Sequence, residues 1–493
     1  MTAASLKGLF SHMTFAIESF HFHVLPMHTR FPFKYGIASM NALPHLFVTV
    51  NLVVDGKAVS GLASEGLPPK WFTKNPDTPF ELDLAEMIAV IQNASRIARL
   101  AAEKPTGFFG WWQNLYAEQS QWAKVREQPA LLANLGVSLI ERSVLDGLCK
   151  ALGQPLHAVL RSDVLGIDLG AVREELCGMR VADAMAPAPL SHVSARHTVG
   201  LGDPLSAADG ALDDGLPYTL EENIRAYGLR YFKIKVCGKP DQDLPRLREI
   251  TRVITANCPS GFHATLDGNE QFYDLASFRD FYATLRADAA LAPLFQNLIL
   301  IEQPLHRSQA LNEDVAATLS TWTEGPGMII DESDASLADL PRALDLGYRG
   351  TSHKNCKGVV KGLANAALLK KRSPAIRGGP ILSGEDLANV GPVALLQDLS
   401  VMALLGVTHV ERNGHHYFRG LSMHSAATQE AVLATHAGLY RRHPAGFPTL
   451  QIENGRLDVS TVNSAPFGCG IALDVSPFEP LNTWIKRGGM GEL

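Results

Sequence analysis

Apolar and β-branched positions dominate the first part of the chain. From His21 to Gly61 they follow one another as strands do. The run from Leu46 to Val54 stops at Asp55-Gly56, a dipeptide suited to a two-residue hairpin turn. From Leu82 to Ala102 the period becomes helical, with Leu84, Ile88, Ile91 and Ala98 on one stripe. Ala130 to Leu152 is helical again, stopping at Gly153 with Pro155 beyond. Residues 14–155 therefore predict a small α+β domain of a few strands followed by helices. Gly36, Gly61 and Gly66 read as turn residues of that domain, and Trp71-Phe72 as a lid or packing pair. Residues 156–195 show no clear period, and Ala186-Pro187-Ala188-Pro189 reads as a linker.

From Arg196 the rhythm changes. Short apolar strands alternate with helical stretches, ending near Gly202, Lys235, Asp267, Glu302, Asp331, Lys354, Glu385 and Glu411. The last seven ends are 23 to 35 residues apart, and a βα unit takes roughly 30. Eight such units over residues 196–430 predict a (β/α)8 TIM barrel. An open doubly wound sheet is the alternative, but no glycine fingerprint follows the first strand. After Ser422 helices are expected to about Arg442. Thr449-Leu450-Gln451-Ile452, Asn454-Gly455-Arg456-Leu457 and Gly470-Ile471-Ala472-Leu473 are strand-like, so residues 431–493 are expected to return to the first domain.

Composition narrows the function class. At 46% hydrophobic and 19% charged residues the chain is globular, and its net charge of −6 disfavours nucleic acid and anionic membrane as partners. No stretch reaches the ~18 apolar residues of a membrane span. Met1 to His12 reads as a loose tail without a cleavage site. The six cysteines are scattered without a Cys-x-x-Cys pair, which suits a reducing cytoplasm and signals neither zinc site nor disulfide framework.

The expected strand ends share one chemical logic. Active sites of such barrels lie at the C-terminal ends of the strands. Three consecutive ends supply Asp267, Glu302 and Asp331, hard oxygen ligands suited to Mg²⁺ or Mn²⁺. Strands two and six are opposite in a ring of eight, so Lys235 and Lys354 face each other across the pocket. Lys233 shares a face with Lys235, and their mutual repulsion, with the nearby cation adding to it, predicts a lowered pKa for Lys235. A base on each side of the pocket can remove and return an α-proton next to a carboxylate. Taken singly, each residue has a plainer reading, as a solubilising lysine or a helix-capping acid. Their succession along strand ends argues for a site. Glu385 and Glu411 read as substrate contacts or as salt-bridge partners of a nearby Arg or Lys. His415-His416-Tyr417 is expected in a loop over the pocket mouth, with the adjacent imidazoles pointing apart. His353 is expected to turn into the helix layer.

The chain resembles the enolase superfamily, in its mandelate racemase/muconate lactonizing enzyme family. The resemblance rests on Lys233-Ile234-Lys235, Asp267-Gly268-Asn269, Glu302-Gln303-Pro304, Asp331-Glu332-Ser333 and Lys354. Pro32-Phe33-Lys34-Tyr35-Gly36 is similar to a capping-domain specificity loop, Glu141 to Leu156 to the last capping helix, and Gly468-Cys469-Gly470-Ile471 to the C-terminal return. It implies a modified barrel under an α+β cap built from both termini. It also implies Asp267, Glu302 and Asp331 as Mg²⁺ ligands, Lys235 and Lys354 as the acid/base pair, and Lys233 and Asn269 as substrate contacts. The implied partner is a small carboxylate substrate, reacting through a metal-stabilised enolate, and the implied assembly is a homo-oligomer. The reaction implied first is racemisation or epimerisation, with a lyase or cycloisomerase as the alternative and a non-catalytic scaffold as a remote one. Three departures matter. Lys357, three residues on, competes with Lys354. Strand eight reads Glu411-Arg412-Asn413 where dipeptide epimerases carry Asp-x-Asp. Strand seven lacks the racemase His.

Overall fold

The computed structural model describes residues 13–35 and 37–491. The tail Met1–His12 and Gly36 of the expected specificity loop lie outside the described residues. The N-terminal domain opens with β1 (Thr14–Leu25), β2 (His28–Tyr35), β3 (Ala38–Ala42), β4 (His45–Val54) and β5 (Lys57–Gly66). β4 and β5 form the expected hairpin: Val54 pairs with Lys57, and Asp55 and Gly56 both take positive φ (46° and 81°), as a type I′ turn requires. A two-residue bridge, β6 (Thr106–Gly107), adds to β1. Helix α1 (Phe80–Ala101) buries Leu84, Ile88, Ile91 and Ala98 as its stripe predicts. α2 (Phe108–Val125) follows, and α3 (Ala130–Leu152) ends on Gly153 in the left-handed conformation.

Gly61 is not a turn residue. It lies within β5 with ordinary φ, and a Cβ there would sit 2.0 Å from the Ser143 carbonyl oxygen of α3. The glycine is needed because helix and sheet touch backbone to backbone. Gly66 likewise ends β5 without a positive φ.

Eight parallel strands follow: β7 (His192–Val199), β8 (Tyr231–Lys235), β9 (His263–Asp267), β10 (Leu298–Glu302), β11 (Met328–Ile330), β12 (Gly350–His353), β13 (Ile381–Gly384) and β14 (His409–Arg412). β14 pairs with β7, so the ring closes and the open-sheet alternative falls. The first strand starts at His192, ahead of Arg196, and ends at Val199, short of Gly202. Residues 156–185 form short helices and not a free linker. Their apolar side chains join the cap's core, and Arg173 donates to Asn365 Oδ1 at 2.6 Å on the barrel helix Val359–Arg372.

The tail differs from its expected course. The helix ends at Thr435, and β15 (Tyr440–Arg442) and β16 (Pro448–Leu450) make a hairpin. β17 (Arg456–Asp458) pairs with β7 of the barrel and not with the cap. Gly470 to Leu473 is irregular; β18 (Glu479–Pro480) joins the cap sheet beside β1, and Leu481 and Trp484 after it pack into the cap core. Among the described residues no helix is long and apolar enough to cross a membrane.

Candidate active site

Parallel pairing brings the charged strand ends level. Lys235 of β8 is the lateral partner of Asp267 on β9, which in turn pairs with Glu302 on β10. The loops beyond are locked together. Gln303 accepts hydrogen bonds from the backbone N–H of Asp331 (2.7 Å) and of Ser333 (3.3 Å). Gly268 is close to the neighbouring loop, where a Cβ would lie 2.5 Å from Pro304 Cα. Glu-Gln-Pro, Asp-Gly-Asn and Asp-Glu-Ser are thus one interlocked unit.

One cavity at this rim is lined by Lys233, Lys235, Asp267, Asp331, Lys354 and Glu411 from the barrel, with Glu332, Asp386, Leu387, Ala388 and Asn413 beside them. Phe33, Tyr35, Pro68 and Trp71 of the N-terminal domain form its roof. Lys235 and Lys354, from opposite strands of the ring, both reach it. Lys357 is not among the lining residues: its ammonium donates to the Asp331 and Ser352 carbonyl oxygens and pairs with the Asp331 carboxylate at 2.9 Å.

The acidic residues group differently from the expected ligand set. Carboxylate oxygens of Glu302, Asp331 and Glu385 all lie within 4.8 Å of one another. Asp267 turns instead toward Lys235 (2.9 Å) and Lys233 (3.2 Å). Glu385, expected as a substrate contact, therefore enters the acidic cluster. Lys233 sits among four carboxylates, at 2.7 Å from Glu302, 3.0 Å from Glu385, 3.1 Å from Glu411 and 3.2 Å from Asp267. Its ammonium is engaged by these carboxylates at the edge of the cavity it lines. Asn269 accepts from Lys235 at 3.0 Å, so it positions that lysine. Glu385 also meets Arg196 (2.9 Å) and Lys354 (3.2 Å), and Glu411, which lines the cavity, accepts from Thr198 Oγ1 at 2.6 Å.

Burial pushes the Glu302 carboxyl well up, with Glu385, Asp267 and Asp331 adding to burial and Lys233 opposing it. Its Oε2 is buried without a hydrogen-bond partner. An orphaned oxygen among converging carboxylates fits a hard divalent cation. Burial raises Asp331 too, but Lys354, Lys357 and Lys233 outweigh it and hold that carboxyl well below the usual range. Burial lowers Lys235 most and Lys233 repels it, yet the charge and hydrogen bond of Asp267 together with the charge of Glu411 outweigh both, and the pKa is raised. The expected lowering weighed the neighbouring lysine and a nearby cation without the carboxylate paired to Lys235.

Trp71 fulfils its lid role, with the Lys354 ammonium 4.6 Å from its ring centroid, whereas Phe72 is buried in the cap core. The loop carrying them is clamped. Arg307 donates to the Trp71 (2.9 Å) and Phe72 (2.7 Å) carbonyls while forking onto Glu270 at 2.7 and 2.8 Å. Lys74 bridges from the loop to Glu270 at 3.1 Å. Charge-assisted hydrogen bonds are worth about 1.5–3 kcal/mol each. Arg307→Ala is therefore expected to raise tryptic cleavage at Lys70 and Lys74 by roughly tenfold or more. Unchanged cleavage would show that the clamp does not hold the lid.

A second buried network joins cap and barrel. Arg142 of α3 donates to Glu65 of β5 at 2.7 Å, Asn389 donates to Asp398 at 2.8 Å, and Arg412 lies 2.8 Å from Asp386. Burial pushes Asp386 and Asp398 up to about 7, and it does the same to Glu141. These groups hold protons more tightly folded than unfolded, so stability rises as pH falls through 7 toward the unfolded value near 4. Each contributes up to about 4 kcal/mol over that window. Glu385 acts oppositely: burial raises it, but Lys233, Lys354 and Arg196 bring it to about 2. Its contribution is lost as pH falls from about 4.5 to about 2. The thermal midpoint is thus expected to climb from pH 8 to about 5 and to drop below 4. A midpoint that falls steadily from pH 8 would contradict this balance.

Other expectations divide. His353 turns into the helix layer, 3.1 Å from Asn355. His415 and His416 do not cover the pocket mouth. Both are buried and face His197 of β7, at ring-centroid distances of 5.2 and 4.9 Å. Sequence reasoning missed Asp386, Asn413, Arg196 and Glu332. For Asp386, Asn413 and Glu332 the signal was closeness to named candidates, whereas Arg196 on β7 had none, and only strand direction reveals which residues face inward.

This closed barrel under an antiparallel cap is the fold of the enolase superfamily. It is similar to a crystal structure of a mandelate racemase/muconate lactonizing protein from Herpetosiphon aurantiacus, at 18% identity and TM-score 0.59 over 93% of this chain and 99% of that one. A muconate lactonizing enzyme from Pseudomonas fluorescens, complexed with muconolactone, matches at 18% identity and TM-score 0.58 over 94% and 99%. An enolase from Bradyrhizobium, complexed with magnesium and mandelic acid, matches at 14% identity and TM-score 0.55 over 94% and 98%. No family model matches the chain, and no curated protein sequence does.

Proposed function

We propose that this chain is an enzyme that abstracts the proton α to a carboxylate, with a divalent metal, Mg²⁺ or Mn²⁺, as cofactor. The observation carrying the reading is the pair Lys235 and Lys354, from opposite strands, at a cavity beside the converging carboxylates Glu302, Asp331 and Glu385. Those three carboxylates would hold the metal, with Asp267 beside them. A bound dication would supply positive charge against negative charge developing on the substrate carboxylate.

Charge balance supports a lysine base. With Glu302 ionised by a bound dication, Asp267, Glu302, Asp331, Glu385 and Glu411 are matched by Lys233, Lys235, Lys354, Lys357 and Arg196 in one ion-paired cluster. A dication and a monoanionic substrate together leave one positive charge in excess, which loss of one lysine proton removes. Lys235 is the more open lysine, its side chain 10% exposed against 4% for Lys354. It takes the α-proton, and Asn269 orients its Nζ. Lys354 on the other side returns a proton in a racemase or epimerase, which is the first reading.

One observation favours a lyase or cycloisomerase instead. Lys354 is held by Asp331 at 2.6 Å, by Glu385 at 3.2 Å and beneath Trp71. Burial lowers its pKa, but Asp331 and Glu385 raise it well above the ordinary value. An ammonium so held serves as a fixed cation. The test is incubation of the Mg²⁺-loaded protein in D2O with pools of α-substituted carboxylic acids, with a chelator control. Metal-dependent deuterium uptake at unchanged composition supports the racemase reading. Loss of water, or a ring-closed isomer, moves the reaction to the second class. Exchange that ignores the chelator removes the metal from the reading.

A further inference from the structure

We infer that Lys357 sets the metal affinity of the site: it is a fixed positive charge on Asp331 that weakens capture of the divalent cation. The inference rests on the divalent metal of the proposed function. Lys357 closes the short turn Asn355–Lys357 after β12, where its backbone N–H donates to the Lys354 carbonyl at 2.9 Å. Such a bond brings side chains three residues apart to one side of the turn. Both lysines reach the same carboxylate. Lys354 meets Asp331 Oδ2 at 2.6 Å, and Lys357 meets Oδ1 at 2.9 Å. A metal on Asp331 therefore shares its ligand with two ammonium groups.

The two lysines differ in freedom. Lys354 lines the cavity, whereas Lys357 does not, and its side chain is buried. Besides Asp331 Oδ1 its ammonium has three acceptors: the Asp331 carbonyl at 2.7 Å, and the Ser352 carbonyl and Oγ, each at 3.0 Å. Four acceptors around three N–H donors hold it in place. Ser352 Oγ donates in turn to Asp331 Oδ1, so that oxygen keeps a hydrogen bond when Lys357 is replaced. Charge then decides the sign of the effect. In the balanced cluster of five carboxylates and five cations, a dication without substrate leaves two positive charges in excess. Without Lys357 it leaves one. Repulsion between a dication and a unit charge on the same carboxylate is worth about tenfold or more in affinity, even at an effective permittivity near 20. A purely structural Lys357 predicts the opposite sign, because its loss would loosen Asp331 and weaken metal binding.

The experiment is calorimetric titration of the full-length, chelator-treated protein with Mg²⁺ and with Mn²⁺, in the absence of substrate. Lys357→Gln keeps an N–H donor for the carbonyls and removes the charge. It is expected to bind both metals at least about tenfold more tightly than the wild type. Lys357→Met removes the charge and keeps an unbranched stem, and it carries the test if Lys357→Gln does not melt cooperatively. Unchanged or weaker binding in a variant that melts cooperatively overturns the inference. It makes Lys357 an anchor for Asp331 and leaves the metal of the proposed function standing. No uptake of either metal at millimolar concentration, by wild type or variant, overturns that metal and the inference together.

Discussion

Lys235→Ala is expected to lower metal-dependent α-proton exchange by about 10²–10⁴-fold, the contribution of a positioned general base. The loss should appear in kcat more than in KM, because the lysine acts on the reacting proton. The fold should survive. Lys235 is among the less buried members of the cluster, and Asp267 keeps Lys233 at 3.2 Å after its removal. Lys235→Arg separates charge from basicity. A guanidinium restores the positive charge beside Asp267 but does not give up a proton, so activity should stay lost. The same exchange at Lys354 then discriminates the two reactions. If Lys354 is a fixed cation, Lys354→Arg keeps a substantial part of the turnover. If it returns a proton, Lys354→Arg fails as completely as Lys235→Arg. Full activity in Lys235→Ala, with metal dependence intact, would refute the base assignment.

Arg142→Ala is expected to destabilise the protein by about 3–5 kcal/mol, the usual cost of removing one partner of a buried ion pair. Arg142 is fully buried and holds three groups: Glu65 at 2.7 Å, the Ser64 carbonyl at 3.0 Å and the Ser138 carbonyl at 3.3 Å. Burial already pushes the Glu65 carboxyl up against the pull of Arg142. Without the guanidinium, Glu65 is an unpaired carboxyl between cap and barrel, and it takes up a proton. Stability of the variant should therefore be less impaired at pH 5 than at pH 8. The double change Arg142→Met with Glu65→Leu should recover much of the loss, because both polar ends leave together. Equilibrium denaturation of the four proteins in this cycle measures the coupling. A double variant as unstable as Arg142→Ala would place the cost in packing and not in the stranded charge.

Much of the architecture was legible because its causes are local. The stripe of Leu84, Ile88, Ile91 and Ala98 defines α1 through helical geometry alone, and Asp55-Gly56 defines its hairpin through permitted φ. Seven of the eight expected strand ends fall within one residue of the observed C-terminal residues, since each apolar run stops where charge begins. Gly61 was misread because a glycine required by Ser143, far along the chain, looks the same in sequence as one required by a turn. Gly470 to Leu473 was misread because apolar alternation shows burial but not a pairing partner.

The sequence by itself determined the barrel rhythm, the candidate charged residues and the strand end each one occupies. Period and composition act over a few neighbouring residues, so a one-dimensional pattern contains them. Tertiary structure alone decided which groups meet. It turned Asp267 toward Lys235, brought Glu385 to Glu302 and Asp331, surrounded Lys233 with four carboxylates, and put Lys354 rather than Lys357 beneath Trp71. It also paired Lys235 with Asp267, whose charge raises the lysine's pKa. Coulomb energy falls off over a few ångströms, whereas the partners are tens to hundreds of residues apart in sequence. Strand register and ring closure, which set those few ångströms, exist only once the chain has folded.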